Sequence, residues 1–103
     1  MQDFPKHFTL LDKINFLQRK IILNSIMYYM YNTSFISDHF YDSCCKQLVE
    51  LHDEYGEDFV EDSKYGYAYY DFDGSTGYHL FSRLNEEDKL HLRNICIMYK
   101  LKH

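Results

Sequence analysis

Apolar residues recur at helical spacing from the start of the chain. Leu10, Ile14, Leu17 and Ile21 form one stripe, and Phe16, Leu23, Met27 and Met30 form a second. Two stripes on one helix mean burial on more than one side. Thr9 with Asp12 three residues on reads as a capping box, and Asn32-Thr33-Ser34 reads as a turn after Tyr31. Ser37 is the next N-cap, with Asp38 in the first turn. Phe40, Cys44, Leu48 and Leu51 make the stripe that follows, and Gly56 is the stop. The pattern predicts two helices in an antiparallel hairpin over residues 9–56.

The second half changes character. Residues 57–63 read as an acidic loop. From Lys64 to Phe72 the chain is aromatic and roughly alternating, with Tyr65, Tyr67 and Tyr69 on one side and Tyr70 and Phe72 on the other. Alternation of this kind predicts a strand. With a turn at Asp73-Gly74, it predicts a small aromatic β-hairpin near 65–80. Thr76 is a candidate cap for a short helix carrying Tyr78, Leu80, Phe81 and Leu84. Asn85-Glu86-Glu87-Asp88 opens a closing helix bearing Leu90, Leu92, Ile95, Ile97, Met98 and Leu101. The expected fold class is α+β, mainly α: a helical hairpin, a β-hairpin and a C-terminal helix. The expected organisation is one domain over 1–103, with residues 57–103 as a strand-helix extension of the hairpin.

Composition narrows the function. The chain has 103 residues, with 8 Phe, 11 Tyr, 4 Gly and 1 Pro, which suits one folded core rather than a linker or disordered segment. The net charge of −5 is uneven. Residues 1–37 hold four basic against two acidic residues, 38–73 two against eleven, and 74–103 five against three. The acidic block disfavours phosphate-backbone contact, so direct nucleic-acid binding is not expected. A cationic ligand or a basic protein surface is the better electrostatic match.

Cys44, Cys45 and Cys96 form no CxxC pair, which suits a reducing compartment and small buried side chains. The longest apolar-rich stretch, residues 21–31, is too short for a membrane span. The chain is therefore read as soluble and cytoplasmic. The six histidines are scattered, so no metal site is expected. No nucleophile–base pair or phosphate loop is legible, and no catalysis is expected.

The most informative segment runs from Tyr28 to Asp42. Tyr28 and Tyr29 lie near the end of the first helix, and Ile36-Ser37-Asp38 opens the second. Asp38, Tyr41 and Asp42 stand at i, i+3 and i+4 on one helix face. Aromatic faces beside carboxylates can hold a flat cation by stacking and cation–π attraction, with ribose hydroxyls on the carboxylates.

Tyr28-Tyr29, Ile36-Ser37-Asp38, Tyr41-Asp42 and Leu48-Val49-Glu50-Leu51 resemble, in order and spacing, the N-terminal domain Ia of NAD-dependent DNA ligases. The resemblance covers about residues 10–56 and extends to small phage proteins described as ligase-related. It implies binding of the nicotinamide mononucleotide (NMN) half of NAD, with Tyr28, Tyr29, Asp38, Tyr41 and Asp42 as the binding positions. The chain departs from the ligases downstream. Their Lys-x-Asp-Gly nucleophile motif has only the echo Asp71-Phe72-Asp73-Gly74, without the lysine. The length leaves no room for adenylation, OB and zinc modules.

Two functions follow as expectations. One is a stand-alone, non-catalytic module that binds NMN or NAD, or docks on a ligase-type partner. The other is a small acidic phage-type inhibitor, such as an anti-CRISPR or other anti-defence protein, that binds a host nucleic-acid enzyme by protein–protein contact.

Overall fold

A computed structural model describes residues 3–33, 36–74 and 79–102. The elements are α1 (Leu10–Tyr31), α2 (Asp38–Tyr55), a single turn α3 (Phe59–Asp62), a 3-10 turn (Gly66–Ala68), a short α4 (Leu80–Arg83) and α5 (Glu86–Lys102). Every regular element is helical, and no strand occurs among the described residues. The expected α+β class and the aromatic β-hairpin are therefore corrected.

The first helix begins as its sequence dictates. Thr9 Oγ1 accepts the Asp12 N–H at 3.1 Å, and Asp12 Oδ2 accepts the Thr9 N–H at 3.0 Å. At the other end, Asn32 takes the left-handed conformation (φ 52°, ψ 42°). The Asn32 and Thr33 N–H groups both reach back to Met27 O, the latter at 3.1 Å, and close the end of the helix. Ser37 Oγ caps α2 by accepting the Phe40 N–H at 3.1 Å. Two cross-links run in opposite chain order, Ser25 to Tyr41 and Gln18 to His52, which makes α1 and α2 antiparallel.

The core joins both halves of the chain. Ile14, Leu17, Ile21, Ile22 and Met27 of α1 meet Cys44 and Leu48 of α2, Tyr65 and Tyr69, Leu80, and Leu92 and Cys96 of α5, all of them buried. The three cysteines are free thiols inside this core. Burial pushes the Cys45 thiol up to about 12 and the Cys96 thiol up to about 11.

The segment read as a strand coils instead. Tyr65, Ala68 and Tyr69 are buried at i, i+3 and i+4, while Tyr67 is half-buried and Tyr70 is exposed. Gly66 allows the coil to sit down on α3. A methyl group there would overlap Phe59 O and stand 2.5 Å from Ser63 Oγ and 2.7 Å from Val60 O. The acidic stretch before it also differs from expectation, because Phe59 is buried and pulls residues 59–62 into a helical turn.

Gln18 locks this arrangement from within α1. It is fully buried, and its Nε2 donates to His52 and to Ser63 Oγ, at 3.2 and 2.9 Å. Its Oε1 accepts the Tyr65 N–H at 3.2 Å, and its backbone carbonyl accepts the Tyr69 hydroxyl at 2.7 Å. One side chain thus ties α2, α3 and the 3-10 turn to α1.

The start of α5 is fixed in a similar way. Asn85 Oδ1 accepts the Asp88 N–H at 2.7 Å. The Tyr67 hydroxyl accepts the Asn85 N–H at 3.1 Å and donates to Asp88 Oδ2 at 2.5 Å. Beyond that cap, α5 buries Leu92 and Cys96 but leaves Leu90, Ile97, Met98 and Leu101 exposed. Thr76 and Tyr78 lie outside the described residues.

Candidate functional site

The end of the α1–α2 hairpin carries the five residues singled out by sequence. Ser25 and Tyr41 face each other across the antiparallel pair, with 3.2 Å between their hydroxyl oxygens. Three residues further along each helix toward the turn, Tyr28 and Asp38 stand at one level. The register therefore brings Tyr28, Tyr29 and Asp38 to the same end, as the sequence pattern requires.

The five do not play equivalent parts. Tyr28 and Tyr29 are 48% and 57% exposed and pack edge to face, with ring centroids 5.2 Å apart and planes at 82°. Asp38 and Asp42 are exposed. Tyr41 is buried between the helices. Ser25 Oγ donates to Ile21 O at 3.0 Å and shares a hydrogen bond with the Tyr41 hydroxyl, which also bonds the Cys45 thiol. The Tyr41 ring belongs to the interhelical packing, and its two acidic neighbours flank it on the outside. The cavity beside Tyr29, shared with Ser25, Ile26, Met30 and Phe81, holds about 90 Å³, too little to enclose a nucleotide.

A second site was not legible in the sequence. Where α2 ends against the loop after the 3-10 turn, Val49, His52, Asp53, Gly56, Glu57, Phe59, Tyr70 and Phe72 line a cavity of about 310 Å³. His52 and Phe59 lie flat on one another with centroids 3.7 Å apart, and Phe72 meets His52 edge-on. Burial pushes the His52 imidazole down to about 4, so at neutral pH this wall carries no positive charge. The charged groups of the lining are the exposed carboxylates of Asp53 and Glu57. Tyr70 is 62% exposed, with the Arg83 guanidinium 4.6 Å from its ring centroid. Arg83 is held there by Asp71 in a forked ion pair of 2.5 and 3.0 Å. The hydrogen bonds that Arg83 donates to Asp71 hold the Asp71 carboxyl below the usual carboxylate range.

Around this cavity the surface is acidic. Glu50, Asp53, Glu54, Glu57, Asp58, Glu61 and Asp62 are all exposed. The Tyr55 hydroxyl donates to Asp62 Oδ2 at 2.6 Å and so ties α2 to α3 within this face. Carboxylates beside aromatic rings form a receptor for a basic side chain, which gains both ion pairing and cation–π attraction. The signal that would have found this site is the coincidence of an acidic run with an aromatic run. The two runs are adjacent in sequence, but Asp53 and Glu57 reach Tyr70 and Phe72, more than a dozen residues on, only through the turn at Gly66.

Among the described residues, no three His, Cys, Asp or Glu side chains converge to hold a metal ion, and no helix is long and apolar enough to cross a membrane. Comparison with protein-family models, with characterised proteins and with solved structures gives no match for this chain.

Proposed function

We propose that this protein is a non-catalytic binding module that docks on a basic surface of a partner protein, of the kind nucleic-acid enzymes present. The observation that carries this reading is the cavity flanked by Asp53 and Glu57 and walled by Tyr70 and Phe72, set in an acidic face. A lysine or arginine of the partner enters it, and the surrounding carboxylates steer the approach. An inhibitor that occupies a basic groove, in the manner of an anti-defence protein, works by this chemistry.

The test is calorimetric titration with an oligoarginine peptide. Saturable binding that weakens with salt is expected, with a loss of about tenfold in Asp53→Asn combined with Glu57→Gln. Equal affinity for the wild type and this double variant would sink the reading.

The hairpin tip supports a second reading, NMN or NAD binding, because Tyr28 and Tyr29 present an exposed ring pair at the level of Asp38. The resemblance to ligase domain Ia points to the same end of the molecule. Calorimetry with NMN and with oxidised and reduced NAD tests it. The oxidised form should bind more tightly, since only it carries a cationic ring. Tyr28→Ala or Asp38→Asn should each weaken binding severalfold. Equal affinity for the two redox forms would discard the cation-clamp mechanism.

A further inference from the structure

A cavity over the first turns of α1 has the opposite chemistry. It holds about 410 Å³, and Asn15, Arg19, Lys64 and Tyr65 contribute to its lining. Neither the Arg19 guanidinium nor the Lys64 ammonium has an ion-pair partner among the described residues. Asn15 has committed its acceptor already, because its Oδ1 takes the Lys64 N–H at 2.8 Å. Its two amide hydrogens remain to be used. The only carboxylate in the lining, Asp12, is engaged by the Thr9 N–H at the cap of α1. Donors outnumber acceptors, in a protein whose net charge is −5.

We infer that this cavity binds a phosphate monoester carried on a flat apolar body. Arg19 supplies a planar fork and Lys64 a point charge, the two matching anionic oxygens in different ways. Asn15 adds a neutral donor beside them. These groups come from two segments, α1 and the second residue after α3, and border one space. The three terminal oxygens of a phosphate monoester can meet all three donors, whereas a carboxylate has only two. Phe8 and Phe16 supply apolar walls for the body of the ligand. The volume lies in the range of small-molecule sites. The positive end of the 22-residue α1 offsets part of the Asp12 charge.

The test uses phenyl phosphate as the probe, titrated calorimetrically into the intact protein at low salt. Benzoate keeps the ring but has two oxygens, and inorganic phosphate keeps the oxygens but has no ring. One-to-one binding of phenyl phosphate is expected, about tenfold tighter than either comparison compound. Arg19→Gln should weaken it at least tenfold and Lys64→Gln severalfold, with circular dichroism unchanged in both. Lys13→Gln, outside the cavity lining, should leave it unaltered. Absence of saturable binding, an Arg19→Gln variant that binds as well as the wild type, or benzoate matching phenyl phosphate would each overturn the inference. Inorganic phosphate binding as tightly as phenyl phosphate would overturn the part that assigns an apolar body to the ligand.

Discussion

Gln18 Nε2 donates to His52 Nε2 across the α1–α2 interface, at 3.2 Å. The direction of this bond follows from the surrounding contacts. Gln18 Oε1 is fixed by the Tyr65 N–H, so the nitrogen of the amide must face His52 and Ser63. Ser63 Oγ gives its own proton to Phe59 O and can only accept from Gln18. His52 Nε2 is therefore an acceptor, and the ring is neutral with its proton on Nδ1. The network has one consistent assignment of protons, and an added proton on His52 breaks it.

Stability should consequently fall on acidification. The folded His52 pKa is lowered to about 4 from an ordinary 6.5, because burial penalises the charged ring. As pH drops through 6.5, the unfolded chain takes up a proton that the folded chain refuses. The loss grows down to about pH 4, and below that the term is constant. Its size is on the order of 2 kcal/mol. Thermal melts between pH 7.5 and pH 4.5 should show this decline, and His52→Gln should flatten it. A wild-type melting temperature constant over that range would refute the neutral assignment.

Gly66→Ala should destabilise the fold by about 2 kcal/mol or more, through overlap with the Phe59 and Val60 carbonyls. Backbone oxygens in a hydrogen-bonded turn cannot move aside as a flexible side chain would. Urea denaturation gives the number. A midpoint equal to that of the wild type would mean that the 3-10 turn does not sit on α3.

Tyr65→Phe should leave stability unchanged or raise it by up to about 1 kcal/mol, since it removes a buried hydroxyl that has no partner. Most substitutions at a fully buried tyrosine destabilise, so the sign of this one is diagnostic. A clear loss in melting temperature would show that the hydroxyl is satisfied in solution.

Leu17→Ala and Leu48→Ala should each cost about 2–4 kcal/mol. Both side chains are completely buried, one on each helix of the hairpin. Chemical denaturation of the two variants measures the cost, and wild-type midpoints in both would contradict the packed face described above.

The hairpin was legible because its signals are local. Thr9 with Asp12, Ser37 and Gly56 each act within a few residues, and all four lie where the helices begin or end. The segment around Tyr65 was misread because its periodicity is ambiguous. Positions 65, 67 and 69 fit a strand, while 65, 68 and 69 fit one helical turn. Tertiary contact decided between them: Gly66 against α3 and the Tyr65 N–H on Gln18 favour the coil. At the candidate site, Tyr28, Tyr29, Asp38 and Asp42, expected as binding positions, are exposed at the hairpin end, whereas Tyr41 is buried. That burial could not be read from helical spacing, because a residue flanked by two acids on a helix can still point at the neighbouring helix. The cavity at Asp53, Glu57, Tyr70 and Phe72 depends on segments joined only by that misread turn, so no single stretch of sequence announces it.

The placement of the three thiols has a kinetic consequence. Cys44 and Cys45 report on α2, whereas Cys96 sits where α5 meets α1, its Sγ 3.8 Å from Leu23 O. A water-soluble alkylating reagent reaches each only when the chain opens around it. Labelling rates followed residue by residue by mass spectrometry therefore compare detachment of α5 with opening of the hairpin, in the unmodified native sequence and without an introduced probe. If α5 lifts away as an independent unit, Cys96 is modified first while Cys44 and Cys45 stay protected. If the molecule opens only as a whole, all three react at one rate.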